Sequence, residues 1–147
     1  QIQYIKENCM SLKNTLNQLH SSDALLRVNM GQNYESMYTK LMVKLNSRLV
    51  LNNISNVSLG NAAKDYSEIL DNFRADYIAY EEQLSKAINI NCQKQPVSFY
   101  DAVAAARVRR QTLHNDVVRL NQALDQYKIQ FDQFYTEYKT AAEGLKN

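Results

Sequence analysis

Apolar positions recur along this chain at alternating steps of three and four residues, the signature of amphipathic helix rather than strand. The clearest tract is C-terminal: Phe99, Val103, Ala106, Arg110, Leu113, Val117, Leu120, Leu124, Tyr127, Phe131, Phe134, Tyr138, Ala141 and Leu145, with thirteen of the fourteen positions apolar or aromatic. This predicts a helix over about residues 98–145, roughly 70 Å long at 1.5 Å per residue. Ser98 is a candidate N-cap, with Asp101 three residues on in a variant of the capping box. A middle tract carries Leu59, Ala63, Tyr66, Leu70, Phe73, Tyr77, Tyr80, Leu84 and Ala87 and predicts a helix over about 61–89. Two connections follow, one in the polar stretch Asn52 to Asn61 that ends after Gly60, the other from Ile90 to Val97 around Pro96.

The first tract, about 2–54, changes period along its length. Ile2, Ile5, Cys9, Leu12, Leu16 and Leu19 form a strict heptad seam. Met30, Tyr34, Met37, Leu41, Leu45, Arg48 and Asn52 follow a spacing nearer eleven residues per three turns. Such a change is a stutter, which unwinds a supercoil locally without ending the helix. The stretch His20, Ser21, Ser22, Asp23 offers the competing reading of two helices, because Ser and Asp are natural caps. The expected fold is all-α: an elongated antiparallel bundle of three long helices in one domain, 1–147, with coiled-coil-like packing and the first helix either kinked or split. Unequal helix lengths would leave two apolar seams overhanging, Ile2 to Leu19 and Tyr127 to Leu145. Each would need a fold-back or a partner chain to cover it.

Composition sharpens this reading. Three Gly and one Pro in 147 residues are too few for the turns of a sandwich, barrel or doubly wound sheet. Hydrophobic residues at 45% and charged residues at 22% provide for a folded core and exclude a wholly disordered chain. A net charge of +2 creates no large field, which argues against nucleic acid as the main partner. No apolar run approaches the length of a membrane span. The chain begins at Gln1, consistent either with a mature protein after signal-peptide removal or with a trimmed fragment.

Candidate chemistry is sparse. Cys9 and Cys92 are the two cysteines. Placed by the predicted helices, Cys92 falls in the second connection, near the level of the first turns of helix one. An intramolecular bridge would then close a long loop and stabilise the fold by about 4 kcal/mol. An interchain bridge and two buried thiols are the alternatives. Arg107, Arg109 and Arg110 cluster near the start of the last helix, a possible contact for phosphate or an acidic partner. Their plainer reading is a solvated face, with Arg110 extended on its aliphatic stem or paired with a carboxylate. Tyr66, Phe73, Tyr77, Tyr80, Tyr127, Phe131, Phe134 and Tyr138 have the spacing of packing seams rather than of a carbohydrate or cofactor groove. His20 and His114 have no nucleophile motif beside them, and the cysteines lack zinc-ligand spacing. No catalytic, metal or cofactor residues are expected.

The stretch Leu26 to Met42, LRVNMGQNYESMYTKLM, with Ile90 to Asp101, INCQKQPVSFYD, and the following AVAAARVRRQTLHNDV, resembles uncharacterised exported helical proteins of the Saccharibacteria and related Patescibacteria. The resemblance covers most of the chain after about residue 20. It implies an extracytoplasmic location and supports an oxidised Cys92, and it transfers no activity. The expected function is a non-enzymatic interaction or scaffold domain, a stiff helical rod presenting a seam or face to a protein partner or to a second copy. The alternative is a helical dimer binding anionic lipid, against which the near-neutral charge and lack of a basic stripe weigh.

Overall fold

The computed structural model describes residues 1–146. Helices dominate, and no strand occurs among the described residues. In chain order they are α1 (Ile2–Glu7), α2 (Cys9–Ser36), a π-helical segment (Met37–Met42), α3 (Val43–Leu51), α4 (Val57–Asn89) and α5 (Pro96–Gly144). The described residues group into two compact units, one of 1–32 with 72–116 and one of 33–71 with 117–146.

The first tract is a helix with two local departures, neither of them at His20 to Asp23, which lie inside α2. Asn8 separates α1 from α2, yet its N–H still donates to the Tyr4 carbonyl and its own carbonyl accepts from Leu12 N–H. Its side-chain amide also donates to Tyr4 O at 2.9 Å. The second departure is the π segment, where the wider turn takes up one extra residue. Tyr34 and Met42, eight residues apart, are both buried, and Leu49 follows seven later. A constant heptad from Tyr34 would bury Leu41 instead, but Leu41 is 60% exposed against 1% for Met42. The change of period expected between Leu19 and Met30 falls inside the unbroken α2, while the expected seam position Leu41 is corrected to Met42, because π-helical winding turns Leu41 out of the core.

The connection before α4 is shorter than the polar stretch implies, because asparagines shape both of its ends. Asn53 has φ 55°, a left-handed conformation that Asn tolerates better than most residues. Around it Ile54 N–H donates to Leu49 O at 2.8 Å and Asn53 N–H to Val50 O at 3.1 Å, the pair of bonds that satisfies the last carbonyls of a helix ending in a Schellman motif. Three residues later Asn56 Oδ1 accepts from Leu59 N–H at 2.9 Å, so Asn56 is the N-cap and α4 starts at Val57, not at Asn61. Gly60 lies in the first turns of α4 and marks no boundary. At the other connection Asn91 Oδ1 accepts from the N–H groups of Gln93 and Lys94. Pro96 opens α5 at the first helical position, where its missing N–H costs nothing. The expected Ser98 cap is already helical.

In the first unit, Ile5, Cys9, Cys92 and Phe99 form one buried cluster, with Leu12, Leu16, Ile90 and Val103 packed on it. Tyr77, Tyr80, Leu84 and Ala106 form a second. The N-terminal seam is thus covered by the chain's own α4–α5 connection and the start of α5. In the second unit, Tyr34, Met42, Leu49, Leu59, Tyr66, Leu70, Leu120 and Tyr127 are buried. There Tyr66 Oη donates to the Tyr34 carbonyl at 2.9 Å, and Tyr34 Oη donates to Asn121 Oδ1 at 3.2 Å. Beyond Tyr127 no described residue of α5 is buried.

These caps make opposite predictions for two neighbouring residues. Asn56→Ala removes the acceptor for Leu59 N–H and should lower stability by about 1 kcal/mol in urea unfolding. A Cβ added at Gly60 meets nothing within 4 Å, so Gly60→Ala should raise stability by about 0.5–1 kcal/mol.

Candidate functional site

The cysteines and the arginine cluster both belong to the first unit. Cys9 and Cys92 lie at disulfide distance, with Cα atoms 5.5 Å apart at a sequence separation of 83. Cys9 sits on the buried seam at the start of α2, and Cys92 is completely buried. By loop-closure entropy such a bridge stabilises the folded chain by roughly 4.5 kcal/mol.

The three arginines have separate surroundings. Arg110 occupies the seam position of α5 and grips Asp23 of α2 with two hydrogen bonds, Nε to Oδ2 at 2.8 Å and Nη2 to Oδ1 at 3.1 Å. Tyr80 of α4 donates its hydroxyl to the same Oδ2 at 2.5 Å. The cluster joins α2, α4 and α5 through one carboxylate. Arg107 and Arg109 remain exposed; Arg107 borders a cleft with Gln1, Tyr4 and Tyr100. One helical turn below Asp23, the Arg27 guanidinium stands 5.3 Å from the centroid of the Tyr77 ring, a cation–π contact.

Charge states follow from this geometry. Burial alone would push Asp23 up, but the hydrogen bonds from Arg110 and Tyr80, the Arg110 charge and the nearby His20 outweigh it and hold the carboxyl below its ordinary value. Burial, then the hydrogen bond to Asp23, push the Tyr80 hydroxyl up. The hydrogen bond to Asp23 raises Arg110 further, against an opposing effect of burial. None of the three changes charge near neutrality, which gives a lock between helices and not an acid–base pair. Asp23 was legible only as a possible cap, because its partner Arg110 is 87 residues away. Among the described residues no group of three or more His, Cys, Asp or Glu side chains could hold a metal ion.

The second unit holds an open groove of about 540 Å³ between the π segment with α3 and the middle of α5. Leu41 and Leu45 line its apolar floor from one side, and Leu124, Tyr127 and Phe131 from the other. Lys40, Lys44 and Arg48 recur every fourth residue along the first edge, and Lys128 stands on the second. Tyr127 is 7% exposed, its hydroxyl is buried without a hydrogen-bond partner, and burial pushes that hydroxyl's pKa up. The spacing of Lys40, Lys44 and Arg48 was visible in sequence. What was hidden was the outward turn of Leu41, which gives those cations an apolar floor.

The chain matches no family model, no curated protein and no solved structure.

Two measurements bear on the lock and the cysteine pair. Since Asp23 has a depressed folded pKa, its contribution is present above the unfolded carboxylate value and disappears as pH falls through the folded one. Tyr80→Phe and Arg110→Ala should each flatten that acid limb of the stability profile, and their double-mutant cycle should show coupling, because both act on one carboxylate. Intact mass under non-reducing conditions should fall two daltons below the reduced chain, and Cys9→Ser with Cys92→Ser should cost about 2–5 kcal/mol.

Proposed function

We propose that this chain is a non-enzymatic interaction or scaffold domain that acts outside the cytoplasm and offers a helical seam to a protein partner or a second copy. The observation that carries the reading is the bare end of α5. Phe131, Tyr135 and Tyr138 are 37%, 55% and 54% exposed and Leu145, just past the helix end, is 90% exposed, although the same helix buries Tyr127 one turn before Phe131. Its aromatic rings stack on one another along the helix, Phe131 on Tyr135 at 6.3 Å and Phe134 on Tyr138 at 6.0 Å between centroids. Large apolar side chains gathered on one stretch of helix are a reservoir of binding free energy, at about 25 cal/mol per Å² removed from water. Coiled-coil packing along the heptad seams is part of the same proposal.

An extracytoplasmic setting is supported by the Cys9–Cys92 pair, since bridges persist mainly in oxidising compartments, and by the resemblance to exported helical proteins. No helix among the described residues is long and apolar enough to cross a membrane. The four cations around the groove favour a second reading, attachment to an anionic lipid surface. The net charge of +2 adds little long-range attraction to an anionic surface beyond those four cations.

Sedimentation equilibrium over a wide concentration range tests the seam. Reversible self-association is expected, abolished by Tyr135→Glu with Tyr138→Glu at unchanged melting temperature, because both side chains are more than half exposed. A chain that stays monomeric throughout, or a double variant that melts early, would remove the seam as a surface for self-contact.

A further inference from the structure

The groove in the second unit combines three features that have separate origins. Its floor exists because the π segment inserts one residue and turns Leu41 outward, 60% exposed beside a buried Met42. Its first edge carries Lys40, Lys44 and Arg48, which at 1.5 Å per residue span about 12 Å, or two turns of helix. Its second edge adds Lys128, and Asp125 is the sole carboxylate among the lining residues. None of the four cations has an ion-pair partner among the described residues. Ordinary helix surfaces balance lysines with carboxylates at four-residue spacing, as Lys64 and Glu68 do on α4. The groove edge leaves its positive charge uncompensated beside an apolar floor.

Shape and charge select the occupant. The floor is open to water, with Phe131 37% exposed, so a single acyl chain laid in it would keep much of its own surface wet. An amphipathic helix needs to bury only one stripe, and its polar back remains solvated. The edge cations at four-residue spacing face the flanks of such a stripe, where carboxylates at the same spacing would meet them. We infer that the groove between the π segment with α3 and α5 is the docking site for an acidic amphipathic helix of another protein. The inference rests on the proposed contact role and names the class of partner.

The test uses the intact oxidised chain and fluorescein-labelled synthetic peptides of about 18 residues, five helical turns. One has Leu on a single stripe flanked by Glu; its counterpart has Lys in place of every Glu. In fluorescence anisotropy the Glu peptide should bind about tenfold or more tightly than the Lys peptide, with an affinity that falls as salt is added. Lys44→Glu with Arg48→Glu should weaken the Glu peptide about tenfold and favour the Lys peptide. These side chains are exposed, and circular dichroism should show both variants folded. Equal binding of the two peptides, or unchanged binding by the charge-reversed variant, would overturn the assignment. Phosphatidylglycerol vesicles that bind through Lys44 and Arg48 while the Glu peptide does not would overturn it in favour of a lipid. The Tyr135→Glu, Tyr138→Glu variant separates the two levels. If it alone abolishes self-association while the peptides ignore the groove, the contact role stands and the groove assignment falls. If peptides bind the groove of a strictly monomeric chain, the groove stands without the seam.

Discussion

One strip of α4 has to be kept dry along its whole length, and the other helices are arranged by that demand. From Leu59 to Ala87 every position at the alternating four- and three-residue step is at most 8% exposed. Four of the nine are aromatic, and two of these, Tyr66 and Tyr80, are fully buried with a hydroxyl that must find an acceptor. Tyr66 finds the Tyr34 carbonyl in the second unit and Tyr80 finds Asp23 in the first. A buried hydroxyl left unpaired costs about 1–3 kcal/mol, so each tyrosine fixes the height and rotation of the segment it touches as firmly as the apolar contacts do.

The seam explains where a charge is tolerated. Arg110 interrupts an otherwise apolar row at a position open enough to water to hold a charge. Its fork reaches a carboxylate that already accepts from Tyr80, so the seam position becomes a three-way junction. Arg110 remains half exposed, which weakens the Coulombic part through solvent screening. The geometry of a bidentate contact is less sensitive to solvent than its energy. Specification of which faces meet is therefore the main product of this contact.

The periodic parts of the fold were legible, and the parts set by single residues or distant partners were not. The α4 seam could be named residue by residue from spacing alone, because burial along a helix repeats with its pitch; along α5 the same spacing named the buried Phe99, Ala106, Leu120 and Tyr127 but missed Ala102 and Asp116. The turn before α4 misled because glycine is the usual punctuation, whereas here Asn53 adopts the left-handed conformation and Asn56 caps. The choice between Leu41 and Met42 was invisible, since adjacent apolar residues satisfy either register and only the winding of the backbone decides. That choice creates the groove, so the binding surface was the least readable part of the second unit even though each of its cations was in view.

A bridge between Cys9 and Cys92, which lie at disulfide distance, would have a mechanical meaning apart from stability. A pull applied between the two ends of the chain would pass from the first nine residues across the bridge into the α4–α5 connection and on through α5. Residues 10–91, most of the helical content before α5, would lie outside the covalent load path. They would stay slack until the sulfur–sulfur bond broke, and a reductant would then lengthen the tether by the whole closed loop. Tension and redox state would thereby act on the same two atoms.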